Sequence, residues 1–284
     1  MTKKRRTYRR RKQSHILINI ICICILVFAV TVLILRTRQG KLRHVPEDKY
    51  VSLPFETNDY DFDRLNWDGQ KAVYEDDKYT SRWGIDVSSH NGDIDWKQVK
   101  EAGVEFAFIR AGYRGNSQGK LHKDSRFEAN YKGAHENGIP VGIYFFSQAA
   151  TEDEAWEEVE LVESYLQGKQ IDLPVVFDME ESGEGDKGRV KPLNRDQKTR
   201  IAVTWLEGIS QKGYKPMIYN SKSLLNHLFS IGYLQNYDFW VAQYNNKPTY
   251  DYRFSVWQYS NTGEIPGIPK AVDLDLMLVE KTGG

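Results

Sequence analysis

Two carboxylates follow the most strand-like apolar run of the chain. Residues 173–177 carry no charge and are largely β-branched or aromatic, and they lead into Asp178 and Glu180. Such a run is typical of a strand buried on both faces. Because side chains alternate along a strand, the two acids would share one face. Their Cα atoms would lie roughly 6.6 Å apart, so both carboxylates could contact one substrate.

Neighbouring carboxylates can hold different protonation states at one pH. One protonated acid beside one anion is the pair that glycoside hydrolysis requires. The competing interpretation is a solvated acidic loop, because Glu181, Glu184 and Asp186 follow in a Gly-rich stretch. The pair alone does not decide between them, but acids at the ends of other predicted strands favour a site.

The pattern of apolar runs predicts the elements that would position these acids. Eight strands are predicted at 83–87, 106–111, 141–146, 175–178, 217–219, 239–242, 255–259 and 272–278. Helices are predicted at 96–102, 125–137, 152–167, 195–212 and 223–229. Five strand–helix units followed by three strands indicate an α/β fold, an irregular β/α barrel related to the TIM barrel.

Acids recur on the first, fourth and last predicted strands. Asp86 ends the first, Asp178 and Glu180 end the fourth, and Asp273 and Asp275 lie in the last. In such barrels the catalytic residues sit at the carboxyl ends of the strands, and the first and last strands are neighbours. We therefore expect these acids to converge in one pocket.

Aromatic and amide side chains, with one arginine, recur near the same strand ends. Rings can stack on sugar faces and amides can bind hydroxyl groups, although packing inside the barrel is the competing interpretation for each ring. The substrate-binding candidates are Arg110, Tyr113, Tyr144, Phe146, Tyr219, Trp240, Gln243, Trp257 and Gln258, and Tyr244 and Tyr259 belong to the same pattern.

The net charge of zero conceals an uneven distribution. Eight of the 39 basic residues lie in the first twelve positions, and no acid precedes Glu47. The rest of the chain is therefore acidic, which argues against a nucleic-acid partner.

Residues 16–35 form an uncharged run long enough for a helix to span about 30 Å of bilayer. A cleaved signal peptide is the alternative, but its apolar region is usually shorter, about 7 to 15 residues.

The basic cluster predicts the orientation of this span and hence the domain order. Residues 1–15 would be a cytoplasmic tail, 16–35 a transmembrane helix in the lipid bilayer, 36–80 an extracellular stalk and 81–284 a catalytic domain outside the cell. Both cysteines, Cys22 and Cys24, lie within the span. The outer domain therefore has neither a thiol nucleophile nor a cysteine-based metal site.

Several motifs together resemble one enzyme family. They are WGIDVSSHNG at 83–92, FIRAGY at 108–113, GIYFFS at 142–147, DME at 178–180, WQY at 257–259 and VDL at 272–274. In this order, over roughly residues 82 to 280, the chain resembles glycoside hydrolase family 25, the bacterial and phage lysozymes (muramidases).

The resemblance implies a barrel of five β/α units plus three strands. It implies an enzyme that acts on peptidoglycan glycan strands, cutting the β-1,4 bond between N-acetylmuramic acid and N-acetylglucosamine without a metal or other cofactor. By motif position, Glu180 would be the general acid/base and Asp178 its partner, and Asp86 and Asp273 would complete the acidic floor. The family's last motif commonly reads Val-Asp-x-Asn, whereas this chain has Asp275 at the fourth position.

Three mechanistic routes remain open at this point. Asp178 could be a nucleophile, could serve as the base of an inverting reaction, or could orient the substrate's own acetamido group as the nucleophile. We favour the third. Two other functions also fit the pattern: a chitinase-like hydrolase of acetamido sugars, and a wall-binding barrel with little or no activity.

Overall fold

Alternating apolar runs fold into a closed sheet with helices outside it. The computed structural model describes residues 20–31, 45, 47–182 and 188–281. Its strands are β1 (Leu65–Asp68), β2 (Lys71–Tyr74), β3 (Tyr79–Val87), β4 (Phe106–Arg114), β5 (Leu121–Lys123), β6 (Val141–Phe146), β7 (Val175–Asp178), β8 (Pro216–Ser221), β9 (Asp238–Ala242), β10 (Val256–Gly263) and β11 (Val272–Glu280). Its helices are α1 (residues 20–31), α2 (Trp96–Glu101), α3 (Phe127–Glu136), α4 (Glu152–Leu166), α5 (Arg195–Gln211) and α6 (Lys222–Leu228).

Eight strands form the barrel in the order β3, β4, β6, β7, β8, β9, β10 and β11, and β3 pairs with both β4 and β11. Helices α2 to α6 follow β3, the β4–β5 hairpin, β6, β7 and β8 in turn, and β9, β10 and β11 follow without a further α-helix. The predicted arrangement of five β/α units plus three strands is confirmed. Side-chain caps begin α2, α4, α5 and α6: the Asp95 side chain, for example, accepts from the Lys97 and Gln98 amides.

Strand β11 runs against its neighbours. The strands from β3 round to β10 are parallel to one another, whereas β11 is antiparallel to both β10 and β3. Its beginning therefore lies at the barrel end where the other strands finish, and Asp273 is in register with Asp86. The sequence did not predict this reversal, but it brings the acids of the first and last strands to the same end.

The barrel interior is filled mainly by large apolar side chains. Trp240 stacks on Phe108 with ring centroids 4.6 Å apart and meets the edge of Tyr219 at the same centroid distance. The members of the interior cluster are Phe106, Phe108, Val176, Met217, Trp240, Val256 and Met277. A floor packed this densely fixes the polar groups above it.

Residues 50–80 cover strands that no helix protects. Tyr60 packs against Phe254, just before β10, with ring centroids 5.3 Å apart, and its hydroxyl donates to the Phe254 carbonyl at 2.6 Å. On the β1–β2 hairpin, Trp67 meets the edges of Trp257 and Tyr259 at 6.3 and 5.3 Å. This segment takes the place of the helices that β9 to β11 lack.

The predicted boundary between a stalk at 36–80 and a domain starting at 81 is therefore corrected. The structure groups residues 46–284 into one compact unit, and β3 begins at Tyr79 in register with Glu280. The correction has a physical cause, because aromatic side chains of this segment pack against the barrel.

The described part of the N-terminal unit, residues 1–45, includes helix α1, whose side chains are exposed. Residues 1–19 and 32–44 lie outside the described residues, so both ends of the predicted span at 16–35 lie there as well. None of the helices in the described part of the chain combines the length and apolar character that crossing a membrane requires.

Candidate active site

Four predicted acids meet at one end of the barrel. Asp86 and Asp273 face each other across the β3–β11 pairing. Asp178 ends β7, with Glu180 two residues beyond it, and the charges of Asp178 and Asp273 both act on Asp86. Asp273 also acts on Glu180. The predicted convergence of the four acids in one site is present in the structure.

Burial and mutual repulsion favour the neutral form of these acids. Burial, followed by the charges of Asp273 and Asp275, raises the pKa of Asp86 well above its usual value. Burial and the charge of Glu180 raise the pKa of Asp178, and burial and Asp273 raise the pKa of Glu180. Burial raises the pKa of Asp273 to about 6. Such a site can hold a proton at neutral pH.

One register row places several candidates beside Asp178. Tyr113, Phe146, Asp178, Tyr219 and Trp240 are successive partners across the parallel strands from β4 to β9. Paired residues of neighbouring parallel strands point to the same face of the sheet. The row therefore directs Asp178 inward, between Phe146 and Tyr219.

Glu180 opens into a cleft at this end of the barrel. The cleft has a volume of about 720 Å³, which is large enough for a sugar-sized ligand. Its lining includes Glu180, Tyr219, Ser221, Lys222, Gln243 and Tyr244. Asp86, Asp178 and Asp273 are not among the lining residues, and Asp86 and Asp178 are almost fully buried. Glu180 is thus the acid best placed to meet a ligand.

Comparison with known proteins identifies the family. The family model described as glycosyl hydrolases family 25 matches residues 85–268, which is more than half of the chain. The chain belongs to glycosyl hydrolase family 25. Lysozyme M1 of Streptomyces globisporus is 32% identical over 205 residues, covering 67% of this chain and 65% of the relative. YegX of Escherichia coli K12 is 32% identical over 204 residues, covering 68% of each.

Solved structures show the same fold. A bacterial lysozyme from Streptomyces coelicolor has a TM-score of 0.56 at 28% identity, covering 68% of this chain and 90% of that chain. The modular autolysin LytC of Streptococcus pneumoniae, in complex with a synthetic peptidoglycan ligand, has a TM-score of 0.62 at 26% identity. The match covers 69% of this chain but only 46% of LytC. As a member of family 25, the protein is a glycoside hydrolase.

Gln258 links the acids of this family 25 hydrolase to its tyrosines. Its Nε2 donates to Asp86 Oδ2 at 2.7 Å, and its Oε1 accepts from the hydroxyls of Tyr219 at 2.9 Å and Tyr244 at 3.0 Å. Gln258 is buried, so these bonds fix its amide orientation. It was predicted to bind substrate, but the structure places it beneath the cleft, where it positions other groups.

Two predicted sugar-stacking rings are corrected. Trp240 is 1% exposed inside the barrel, and its indole N–H donates to Asp275 Oδ1 at 2.9 Å. Trp257 is 0% exposed, lies on the outer face under Trp67, and donates its indole N–H to the Gln243 carbonyl at 2.8 Å. Neither ring has a face open to a sugar, because packing takes up both surfaces.

The remaining candidates are closer to the site. Arg110 donates to Asp124 at 2.8 Å and to Ser89 at 3.1 Å, and its charge lowers the pKa of Asp178 against the stronger effect of burial. Tyr113 lies beside Arg110 and stacks on His122 with ring centroids 4.9 Å apart. The other candidates, partly buried, are Tyr144, Phe146, Tyr219 and Gln243.

Within the described residues, no group of three or more His, Cys, Asp or Glu side chains is arranged to hold a metal.

Sequence reasoning missed the residues that hold the loop after β7. Asn220 is fully buried, and its Nδ2 donates to the Met179 carbonyl at 2.6 Å. Gln148, also fully buried, donates to the Glu180 carbonyl at 2.7 Å. Asn220 follows a predicted strand directly and Gln148 lies two residues beyond another, so a polar residue just after a buried strand was the available signal. Together they fix the backbone that carries the catalytic candidates.

Proposed function

We propose that this protein is a peptidoglycan muramidase that hydrolyses the β-1,4 bond between N-acetylmuramic acid and N-acetylglucosamine. Family membership and the lysozymes among its relatives support this proposal. The observation that carries it is the arrangement of Asp178 and Glu180. Glu180 lies in the wall of the cleft with a raised pKa, and Asp178 lies buried two residues before it.

Glu180 acts as the general acid in this proposal. Burial and the negative charge of Asp273 favour its protonated form, so it carries a proton where the leaving oxygen needs one. After the glycosidic bond breaks, the same carboxylate accepts a proton from the attacking water. The hydrogen bonds to the Met179 and Glu180 carbonyls hold the backbone on which this exchange depends.

Asp178 orients the substrate's acetamido group. Its Oδ1 is buried and has no hydrogen-bond partner in the described structure. A buried carboxylate oxygen without a donor is costly, and the N–H of an acetamido group would supply that donor. The acetamido oxygen would then attack the anomeric carbon as the leaving oxygen takes the Glu180 proton, and Asp178 would stabilise the positive charge that develops.

Product analysis tests this function. Full-length protein is incubated with purified peptidoglycan and, separately, with soluble chitin oligomers. Mass spectrometry of the products should show muropeptides with reducing muramic-acid ends and little cleavage of chitin. Rapid chitin cleavage with intact peptidoglycan would favour the chitinase-like alternative. Retention on peptidoglycan without any cleavage would favour the wall-binding alternative.

We also infer that residues 16–35 anchor the enzyme in the cell membrane, with the N-terminus cytoplasmic and the barrel facing the wall. The uncharged run, the preceding basic cluster and the helix at residues 20–31 support this inference. Protease added to cells stripped of wall should degrade the barrel and leave a short membrane fragment. Full protection of the barrel would contradict the orientation.

A further inference from the structure

The cleft beside Glu180 contains a positive charge that the mechanism proposed above does not use. Among the described residues that line this cleft, Lys222 is the only cation. Lys222 is the first residue of α6 and follows three residues after Tyr219, the β8 partner of Asp178. It therefore lies just beyond the end of the strand next to β7, close in the fold to the catalytic candidates.

Neutral oxygen atoms hold the ammonium group of Lys222. Its Nζ donates to the Thr249 carbonyl at 2.6 Å and to Thr249 Oγ1 at 2.7 Å. Neither oxygen carries a charge, so these bonds order the side chain without neutralising it. An ammonium group has three N–H donors. Two bonds to Thr249 therefore leave one N–H of Lys222 for a ligand.

Gln243, another residue of the cleft wall, holds Thr249 from the other side. Its Nε2 donates to Thr249 Oγ1 at 2.7 Å, and its Oε1 accepts from the Thr249 amide at 2.9 Å. A hydroxyl oxygen has two lone pairs and one hydrogen. The bonds from Lys222 and Gln243 occupy both lone pairs, which leaves the Thr249 hydroxyl hydrogen as a donor. An ammonium group beside a hydroxyl donor suits a carboxylate.

The chemistry of the proposed substrate indicates where such a carboxylate could come from. The sugars of chitin are neutral, and in intact peptidoglycan an amide bond to the peptide stem neutralises the lactyl carboxyl group of muramic acid. The negative charges close to the glycan are then the free carboxylates of the stem. Lys222 and Glu180 line one cleft of about 720 Å³, so a sugar at Glu180 and a group attached to it can share that space with the ammonium group.

We propose that Lys222, supported by Thr249 and Gln243, binds a carboxylate of the peptide stem, so that the cleft favours peptide-bearing glycan over chitin. This inference rests on the proposed muramidase function and names the part of the substrate that the cleft wall recognises. A few well-placed polar groups of this kind orient a ligand. Because Lys222 is only partly buried, water screens the interaction and its effect should be modest.

Two soluble glycan substrates test this recognition. They differ only in their stem carboxylates, which are free in one and amidated in the other. In the full-length wild type, kcat/KM should be about 3- to 10-fold higher for the free carboxylates, below the roughly 10- to 100-fold of a fully buried charged bond. The difference should appear mainly in KM, because the contact is made in the ground state, and should shrink as salt rises.

Variants of Lys222 assign this preference to its charge. In Lys222→Met the ratio of the two kcat/KM values should fall to near one, whereas Lys222→Arg should retain most of the preference. Lys132→Met, an exposed change on α3, is the matched control and should keep the wild-type ratio. A thermal melt of each variant checks folding. If Lys222→Met does not fold, Lys222→Gln removes the charge while keeping a polar side chain, and its ratio decides the question.

Three results would overturn the proposal. One is a wild-type ratio near one, and another is an unchanged ratio in Lys222→Met, even if both rates fall equally, because Lys222 would then only support the loop that contains Thr249. Stem-free strands, whose lactyl carboxylates are free, reveal the third. A Lys222-dependent preference for these strands, with no preference between the two stems, would assign the ammonium group to the lactyl carboxylate instead.

Calorimetry separates this site from the proposed function. The wild type should bind stem-bearing fragments with free carboxylates about 3- to 10-fold more tightly than amidated ones, and Lys222→Met should bind both equally. Equal binding of both fragments by the wild type would refute the carboxylate site. A wild type that shows the binding preference but cuts no peptidoglycan would refute the proposed function and leave the carboxylate site intact.

Discussion

A carboxyl group that donates a proton at neutral pH needs surroundings that disfavour its charged form. Glu180 has such surroundings in its partial burial and in the negative charge of Asp273 across the site. The same physics applies to all of the clustered acids, so they are not all ionised at the same time. Among the described residues, Arg110 is the cation whose charge opposes this tendency at Asp178 by lowering its pKa.

The first prediction concerns the pH dependence of turnover. A general acid must be protonated, so activity is lost as pH rises through its pKa. Because the charge of Asp273 raises the pKa of Glu180, Asp273→Asn should move the alkaline limb of kcat/KM to lower pH. Glu136→Gln, an exposed change on α3, should leave the limb in place. An alkaline shift in Asp273→Asn would contradict the proposed interaction.

The second prediction concerns Asp178. Asp178→Asn keeps the shape but removes the anion that stabilises positive charge in the transition state, so kcat should fall by about 10²- to 10³-fold. Binding of wall fragments, measured by calorimetry, should change little, because this role belongs to the transition state. A comparable loss of binding affinity would instead assign Asp178 to ground-state recognition.

At the scale of elements, no helix of the described residues covers the last three strands of the barrel, and residues 50–80 cover them instead. Tyr60 contacts the rings of Phe62, Tyr74, Tyr79 and Phe254. Its hydroxyl also satisfies the Phe254 carbonyl. The segment therefore stabilises β10 and β11, which carry Gln258 and Asp273.

Truncating this aromatic side chain gives the third prediction. Tyr60→Ala should lower the free energy of unfolding by about 2 to 4 kcal/mol, because it opens a cavity and leaves a carbonyl without its donor. Phe55→Ala is the matched control, since Phe55 is half-exposed and stacks on Tyr252. That change should cost less than about 1 kcal/mol. Urea unfolding followed by tryptophan fluorescence measures both, and equal losses would refute the covering role.

The sequence predicts the positions of the barrel strands but not the direction of β11 or the partners of the aromatic segment. Apolar runs marked all eight barrel strands, because strands enclosed by helices and a core are apolar throughout. The direction of β11 could not be read, since a strand has the same alternation in either direction. The aromatic residues at 50–80 do not recur at helix or strand spacing, so the sequence could not predict that they pack beside β10.

The candidate site was also predictable in part. Acids at strand ends were found because topology alone brings those ends together. The tryptophans were misassigned because a strand position does not reveal depth or face: Trp240 lies inside under the site, and Trp257 lies outside beneath Trp67. Asn220 and Gln148 act through backbone carbonyls, so the signal for them in the sequence was their place just after buried strands.

At the scale of the whole molecule, the fourth prediction concerns truncation. A protein of residues 46–284 should unfold cooperatively, whereas one of residues 81–284 should melt at a lower temperature or aggregate. The shorter form exposes Trp257, Tyr259 and Phe254 to water and removes the pairing of Tyr79 with Glu280. Identical melting curves would show that the N-terminal segment is dispensable.

The central claim is that Glu180 is the general acid of a peptidoglycan hydrolase. The most direct test is the rate at which full-length wild type and Glu180→Gln release muropeptides with reducing muramic-acid ends, measured by mass spectrometry. The substitution keeps shape and hydrogen bonding but removes the proton, so the rate should fall by at least the roughly 10²- to 10⁴-fold typical of a lost general acid, with an unchanged thermal melt. A near-normal rate in Glu180→Gln would contradict the assignment of the acid and the mechanism built on it.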